Sequence, residues 1–329
     1  MPGHEPLLKL YRTMVLIRTV ESRLIKLFAD SEVPGFIHLS IGQEAVAAGV
    51  MSALDARDSI ATTHRGHGHV IARGIDLDGF FGEVMGKAGG ICRGRGGSMH
   101  VADMELGILG ANGIVAAGIP IALGSALGHT VRRTGGVSAV FFGDGAMAEG
   151  VLHETLNLAA LWRMPLLLVC ENNGWSEFSA TKAQFAGRLD KLAAAFGIEH
   201  REIDGNDAEA VASHAQALVS DLRAGRGPAV LECRTHRVRG HYEGDPQKYR
   251  SQEELSAGQR NDPLAKALSR LRERGVAQAE LEALEADVGS AVSRAIDRAR
   301  ADVPPRFADA LADVYTTGTR VGPPAEARE

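Results

Sequence analysis

Two short motifs contain the residues whose types and spacing could do chemistry. The first is Gly143-Asp144-Gly145, and the second, after a spacer, is Asn172-Asn173. Asp144 offers a carboxylate and Asn173 an amide oxygen, and Mg²⁺ prefers such hard oxygen ligands. The glycines let the backbone come close to a ligand, and free N–H groups at the start of the next helix favour an anion such as phosphate. Because a carboxylate repels phosphate, the pattern predicts a cation that bridges them.

The residues around these motifs have the pattern of a strand, a helix and a second strand. Residues 137–142 are a short apolar run ended by glycine, which is typical of a buried strand. Apolar side chains at helical spacing predict a helix over 146–162, Pro165 ends it, and residues 166–170 form a second buried strand. We expect parallel strands, a right-handed crossover and both motifs at one edge of the sheet. The alternative is a unit of this kind whose glycines only form turns.

A cluster of histidines and an arginine follows another predicted strand, residues 59–63. Its members are His64, Arg65, His67 and His69. Such residues among glycines at the end of a strand suit anion binding and proton transfer near neutral pH. Alternate histidines could instead bind a transition metal, although the arginine makes a cation costly there. An arginine suits bidentate contact with a diphosphate.

Two more histidines lie in predicted loops. His241 follows the predicted strand 228–238, in a segment rich in glycine and charge, and so repeats the placement of the first histidine cluster. His38 lies just before a predicted helix over residues 41–53. A single loop histidine is more often a surface or hydrogen-bonding group than a catalyst.

Strand and helix patterns alternate along most of the chain. Strands are predicted at 59–63, 137–142, 166–170, 198–203 and 228–238, and helices at 5–30, 41–53, 77–87, 116–133, 146–162, 181–196, 207–224 and 251–300. This alternation predicts an α/β fold with a doubly wound, mainly parallel sheet, helices on both faces, and helical N- and C-terminal extensions. The glycine-rich segment 86–97 is interpreted as a flexible surface or interface loop, and 107–115 as a turn. Small residues in the helix over 116–133 suggest close packing, within the chain or across subunits.

Composition limits the class of protein. The 329 residues provide ample core, and contents of 45% hydrophobic and 23% charged residues are typical of soluble enzymes. A net charge of −5 gives no reason to expect nucleic acid, and no apolar run is long enough to span a membrane. Three isolated cysteines and the absence of a signal-peptide pattern predict a cytoplasmic location. We expect one domain over residues 1–315 and a tail over 316–329.

These features together resemble the α subunit of the thiamine diphosphate-dependent E1 component of 2-oxo acid and acetoin dehydrogenase complexes. The likeness covers residues from about 10 to about 300, and its marks are the segments 36–44, 63–68, 97–100, 110–115, 144–175 and 240–246. The histidine-rich segment 64–69 and the residues after His241 look most like the acetoin branch. The sheet is then expected to be a thiamine diphosphate-binding fold.

The resemblance also implies roles for single residues. It implies that Mg²⁺ is held by Asp144, Asn173 and the backbone carbonyl of Trp175. It implies cofactor contacts from His64, Arg65, Gly113, Val115, Asp144, Gly145, Ala146, Asn173, Trp175 and His241. His67, His241 and His38 are implied as catalytic residues, with His67 and His38 on the substrate side and His241 reaching the cofactor. The family often has a tyrosine where this chain has His64. Other branches often have serines, some of them kinase targets, where it has Tyr242.

The implied reaction is cleavage of acetoin and transfer of the resulting acyl unit to lipoamide on an E2 component. The alternative is oxidative decarboxylation of pyruvate or a branched-chain 2-oxo acid. The resemblance places a glutamate needed for thiamine activation on a β chain, so we expect an α₂β₂ assembly and an inactive isolated subunit. Two rival hypotheses are a nicotinamide dehydrogenase, whose glycine fingerprint we do not find after a strand, and a non-catalytic scaffold subunit.

Overall fold

The computed structural model describes residues 3–312, which are built around a six-stranded sheet. In chain order its strands are β1 (Ser59–Ala61), β2 (Ile108–Gly110), β3 (Ser138–Gly143), β4 (Leu166–Asn172), β7 (Glu199–Asp204) and β8 (Ala229–Arg234). Their order across the sheet is β2-β1-β3-β4-β8-β7, and every neighbouring pair is parallel. Two short strands, β5 (Trp175–Ser176) and β6 (Ser179–Ala180), form a separate antiparallel pair. The predicted parallel sheet is confirmed.

Helices cover both faces of this sheet. They are α1 (Glu5–Ala29), α2 (Glu44–Met51), α3 (His67–Ala72), α4 (Leu77–Val84), α5 (Gly118–Arg132), α6 (Gly150–Leu161), α7 (Leu189–Ala195), α8 (Ala208–Arg223), α9 (Gln252–Arg260), α10 (Pro263–Glu273), α11 (Gln278–Ala301) and α12 (Phe307–Ala312). Alternate residues of the central strands enter two separate cores. Phe141 and Val169 pack with α1, α2 and α8, whereas Phe142 and Leu168 pack with α5 and α6. Central strands buried on both faces are typical of a doubly wound fold.

The N- and C-terminal helices pack against each other. The Tyr11 hydroxyl on α1 donates to Glu285 on α11 at 2.6 Å, and both helices contribute to the larger core. The charged region 251–300, predicted to be helical, contains the three helices α9, α10 and α11. Among the residues described, no helix is both long enough and apolar enough to cross a membrane. The predicted tail, residues 316–329, lies outside the described part of the chain.

Two helix predictions are wrong in their boundaries, and both concern the predicted site. Residues Asp144–Ala148 form a 3₁₀ turn, and α6 begins only at Gly150, because the extended backbone of Glu149 separates them. The predicted helix 181–196 is a 3₁₀ turn over Thr181–Ala183 followed by α7. The N–H groups behind Gly145 therefore belong to a tight turn and not to an α-helix.

Two glycine-rich segments also differ from their predictions. The turn over 107–115 contributes the edge strand β2, which pairs with β1. The segment 86–97, predicted to be a flexible surface or interface loop, lies partly exposed but wraps around the buried carboxylate of Glu83 on α4. A role at an interface stays a prediction. That carboxylate accepts hydrogen bonds from four backbone N–H groups, those of Cys92, Gly94, Gly96 and Gly97, at 2.6–2.9 Å.

The predicted close packing of α5 is found at one of its glycines. A Cβ on Gly118 would lie 3.5 Å from the Thr62 carbonyl oxygen on the sheet side, whereas Gly124 and Gly128 have no such neighbour among the described residues. Contact across subunits at these two glycines remains a prediction.

Candidate functional site

A cavity of about 270 Å³ opens at the carboxyl ends of the parallel strands. Ten of the twelve residues singled out in the sequence line it: His38, His64, Arg65, Gly113, Val115, Gly145, Ala146, Asn173, Trp175 and His241. The strands β1, β3, β4 and β8 all have their carboxyl ends at this edge, and the segments that follow them surround the cavity. This edge is where open parallel sheets bind ligands. Residues far apart in the chain are therefore brought together by the topology of the sheet.

Asn173 lines one corner of the cavity, and Asp144 lies directly behind it without itself lining the cavity. Asp144 is 1% exposed; its Oδ1 accepts the Asn173 backbone N–H at 3.2 Å, and its Oδ2 accepts the Thr181 hydroxyl. Burial raises the pKa of the Asp144 carboxyl above its usual value. No lysine or arginine forms an ion pair with it among the described residues. A buried carboxylate of this kind suits a bound cation.

The turn after Gly143 needs a glycine at position 145. A Cβ there would collide with the hydroxyl of Ser176 on β5, the short strand that begins at Trp175. The close approach of the two segments brings the Trp175 backbone beside the Asp144 corner. The structure therefore gives a physical reason for the second glycine of the motif.

Two buried guanidinium groups form another wall. Arg65 donates to the Leu39 and His241 carbonyl oxygens at 2.7 and 2.8 Å, and burial lowers its pKa to about 9. Arg237 donates to the Glu177 carbonyl at 3.0 Å and to the Tyr249 hydroxyl at 2.8 Å, and burial also lowers its pKa. Neither forms an ion pair with a carboxylate in the described chain. Two positive charges held this way suit a ligand with several negative charges.

Sequence reasoning missed Arg237. Arg237 lies three residues beyond the end of β8. Because it falls inside the segment 228–238 that was predicted as a strand, the sequence indicated that it pairs within the sheet. The strand ends at Arg234, and the following residues turn across the mouth of the cavity. The signal available was its position between a strand end and the His241 loop.

Three histidine rings lie together between these walls. The ring centroid of His38 lies 4.7 Å from that of His64 and 5.1 Å from that of His241, and the last two are 5.5 Å apart. Burial, followed by the charge of Arg65, lowers the pKa of His38 to about 3, of His64 to about 2 and of His241 to about 4. All three rings are therefore neutral near pH 7 and act as hydrogen-bonding groups rather than cations.

The neighbours of His241 fix its tautomer. Its Nδ1 lies 3.5 Å from a guanidinium nitrogen of Arg65 and 3.4 Å from one of Arg237. Guanidinium groups only donate, so Nδ1 accepts and Nε2 carries the proton. Potential ligand atoms of the three histidines lie within 4.8 Å of one another, but the two guanidinium groups make this an unfavourable place for a transition metal.

His67 does not reach the cavity. Its Nδ1 lies 3.1 Å from the Glu21 carboxylate and its Nε2 2.8 Å from the Ser98 hydroxyl, and the ring is buried. It is the first residue of α3, and its side chain points inward towards Glu21 on α1. Its neighbour Ser98 precedes Met99, which lines the cavity. The structure thus places His67 behind the site, where it supports the cavity wall.

The loop that carries His241 is held by a short network. Asp245 accepts the His241 backbone N–H at 2.7 Å and the Tyr249 hydroxyl at 2.5 Å, and that hydroxyl also accepts from Arg237. These contacts fix the position of the His241 loop. On the opposite side, Ile114 and Val115 are 73% and 49% exposed at the cavity mouth.

Comparisons with known proteins give the family. Residues 11–307 match the family model described as dehydrogenase E1 component. The subunit alpha of acetoin:2,6-dichlorophenolindophenol oxidoreductase is 41% identical in Bacillus subtilis, over 97% of this chain and 96% of that protein. Its counterpart in Cupriavidus necator is 42% identical over 95% of each. The pyruvate dehydrogenase E1 component subunit alpha of Zymomonas mobilis is 43% identical over 89% of this chain and 84% of that protein. The chain therefore belongs to the dehydrogenase E1 component family, whose members are thiamine diphosphate-dependent oxidoreductases.

Proposed function

We propose that this chain is the α subunit of a thiamine diphosphate- and Mg²⁺-dependent E1 dehydrogenase that cleaves acetoin and transfers the acyl unit to lipoamide on E2. The observation that carries the proposal is a cavity with two buried guanidinium groups on one wall, neither in an ion pair among the described residues. The buried carboxylate of Asp144, which also forms no ion pair there, lies directly behind Asn173 at another corner. Such an arrangement suits a metal-bound diphosphate.

The residues present fit both groups. Asp144, Asn173 and the Trp175 carbonyl would hold Mg²⁺, while Arg65, Arg237 and the N–H groups of the turn after Gly143 would bind the diphosphate. When bound, thiamine diphosphate supplies a nucleophilic carbon that attacks the carbonyl of the substrate.

The histidines would act on the substrate side. His241 is neutral and carries its proton on Nε2, so it can donate a hydrogen bond to an oxygen atom in the cavity. His38 and His64 are neutral as well, and their rings form the adjoining wall. Because none of the three is charged near pH 7, each can position an oxygen or pass a proton without adding to the positive charge of the arginines.

Acetoin is favoured as the substrate by the histidine-rich segment 64–69, by the residues after His241 and by two of the relatives, whose names specify acetoin. The alternative is pyruvate or a branched-chain 2-oxo acid. The relative named for pyruvate is about as similar as the two named for acetoin, so overall identity does not separate the substrates.

We further propose a β subunit in an α₂β₂ assembly and a lipoylated E2 component as partners. The relatives are named as alpha subunits, and the exposed apolar residues Ile114 and Val115 at the cavity mouth suit a second chain that covers it. One domain over residues 1–315 is part of the same proposal. A cytoplasmic location remains a prediction from the three unpaired cysteines.

The test is a substrate panel with the purified chain, alone and with its β subunit. We expect turnover of acetoin with a lipoylated acceptor only in the assembled protein, and only with thiamine diphosphate and Mg²⁺. Faster turnover of pyruvate or a branched-chain 2-oxo acid would favour the alternative substrate. Full activity of the isolated chain would refute the shared site.

A further inference from the structure

Gln43 is a buried polar residue in the wall of the cavity. It is 2% exposed, lines the cavity and occupies the position before α2, where its side chain forms no capping hydrogen bond. Its Oε1 accepts a hydrogen bond from Asn173 Nδ2 at 3.1 Å. Its Nε2 has no hydrogen-bond partner within residues 3–312. Nε2 is not one of the fully buried polar atoms without a partner, so it stays accessible from the cavity that Gln43 lines and can donate to a ligand there.

The orientation of the Asn173 amide follows from its neighbours. The Trp175 backbone N–H, which can only donate, lies 3.1 Å from Asn173 Oδ1. That contact identifies the oxygen of the amide, so the group that faces Gln43 is the NH₂. Gln43 must therefore present its own oxygen to Asn173, which leaves the Gln43 NH₂ facing elsewhere. A carbonyl oxygen has two lone pairs, so Asn173 Oδ1 can still bind a metal ion.

The turn that carries Gln43 is rigid. Gly42 has a φ of +98°, and a Cβ there would collide with the His236 carbonyl oxygen. Its N–H donates to the buried Glu44 carboxylate at 2.9 Å, and its carbonyl accepts from Thr235 Oγ1 at 3.2 Å. The backbone before Gln43 is thus held against Thr235 and His236, just after the end of β8, and this positions the glutamine before any ligand arrives.

We propose that Gln43 is a positioning residue that holds the Asn173 amide with its oxygen towards the metal ion and donates its own Nε2–H to the diphosphate. The inference rests on the proposed function, since it assigns a residue to the same metal–diphosphate site. One side chain would then align a metal ligand through Oε1 and contact the anion through Nε2. Outer hydrogen-bond partners of metal ligands act in this way.

Two substitutions separate the two contacts. Gln43→Leu removes both, whereas Gln43→Glu keeps an oxygen acceptor for Asn173 but removes the donor and adds a negative charge. We expect Gln43→Leu to raise the Kd for Mn²⁺, used as a spectroscopic probe for Mg²⁺, about tenfold or more. The same substitution should also weaken the binding of thiamine diphosphate. Gln43→Glu should bind Mn²⁺ at least as tightly as the wild type and thiamine diphosphate about tenfold more weakly.

The measurements are Mn²⁺ electron paramagnetic resonance and calorimetric titration of thiamine diphosphate, on the full-length chain with its β subunit. Exposed Gln216 on α8 provides matched controls as Gln216→Leu and Gln216→Glu, and thermal melting checks folding. Wild-type affinities in Gln43→Leu would overturn the inference. So would weakened Mn²⁺ binding in Gln43→Glu, because it would mean that Gln43 donates to Asn173. A wild type that binds neither probe would instead refute the proposed function.

Discussion

Replacing Glu83 with glutamine should unfold the segment that wraps around it. Each oxygen of the buried carboxylate accepts two backbone N–H groups, at 2.7 and 2.8 Å on Oε2 and at 2.6 and 2.9 Å on Oε1. Glutamine keeps the shape but has one oxygen, and its NH₂ group would face two other donors. Two hydrogen bonds to a charged group are lost, each worth about 1.5–3 kcal/mol, so we expect a loss of about 3–6 kcal/mol.

A loss of this size is a large share of the stability of an ordinary domain, about 5–15 kcal/mol. The assay is urea denaturation followed by circular dichroism, with hydrogen exchange of the Cys92, Gly94 and Gly96 amides as a local readout. Glu105→Gln, at an exposed glutamate in the loop that leads to β2, is the control and should change stability little. Because Ser98 and Met99 follow the wrapped segment, cofactor affinity should fall as well. A Glu83→Gln protein as stable as the control would refute the reasoning.

Three further predictions follow from the site. Asp144→Ala should abolish Mg²⁺-dependent binding of thiamine diphosphate in calorimetry while leaving the melting temperature close to that of the wild type; unchanged binding would refute the metal corner. Folding lowers the pKa values of His38, His64 and His241, so stability should be greatest above about pH 6.5, where all three are neutral in both states. Stability should fall as the pH drops towards 4. The stability of His241→Asn should depend less on pH in acid unfolding, and a curve identical to that of the wild type would contradict this account. Tyr249→Phe removes the hydroxyl between Arg237 and the His241 loop, so kcat should fall with little change in stability, as measured by turnover and by thermal melting; unchanged kcat would show that the loop does not depend on it.

The predictions that succeeded depended on local pattern and sheet topology. A pattern of two apolar runs with a helix between them predicted that β3 and β4 are parallel, as the structure shows. The carboxyl ends of parallel neighbours meet at one edge of the sheet. Asp144 and Asn173 were therefore expected together, and the structure brings them within hydrogen-bonding distance. Their proposed metal ligation is a further step that the binding experiments test.

Contacts distant in sequence account for what the sequence did not predict. The burial of His67 is decided by Glu21 on α1 and Ser98 beyond α4, and its implied catalytic role stays a prediction. The segment 86–97 looks like a flexible loop in the sequence because nothing there reveals the partner of its N–H groups. That partner is one carboxylate on the preceding helix. Arg237 was missed because the end of β8 cannot be located within two or three residues from sequence alone.

Because of the two buried guanidinium groups, the stability of the folded protein should depend on the concentration of its anionic ligand. Arg65 and Arg237 keep their charges away from water with no counter-charge beside them in the described chain, which opposes folding until an anion arrives. Any ligand that binds the folded form alone shifts the folding equilibrium in its favour. Cells short of the vitamin precursor should therefore degrade this subunit faster, so that enzyme abundance follows coenzyme abundance without a dedicated regulator.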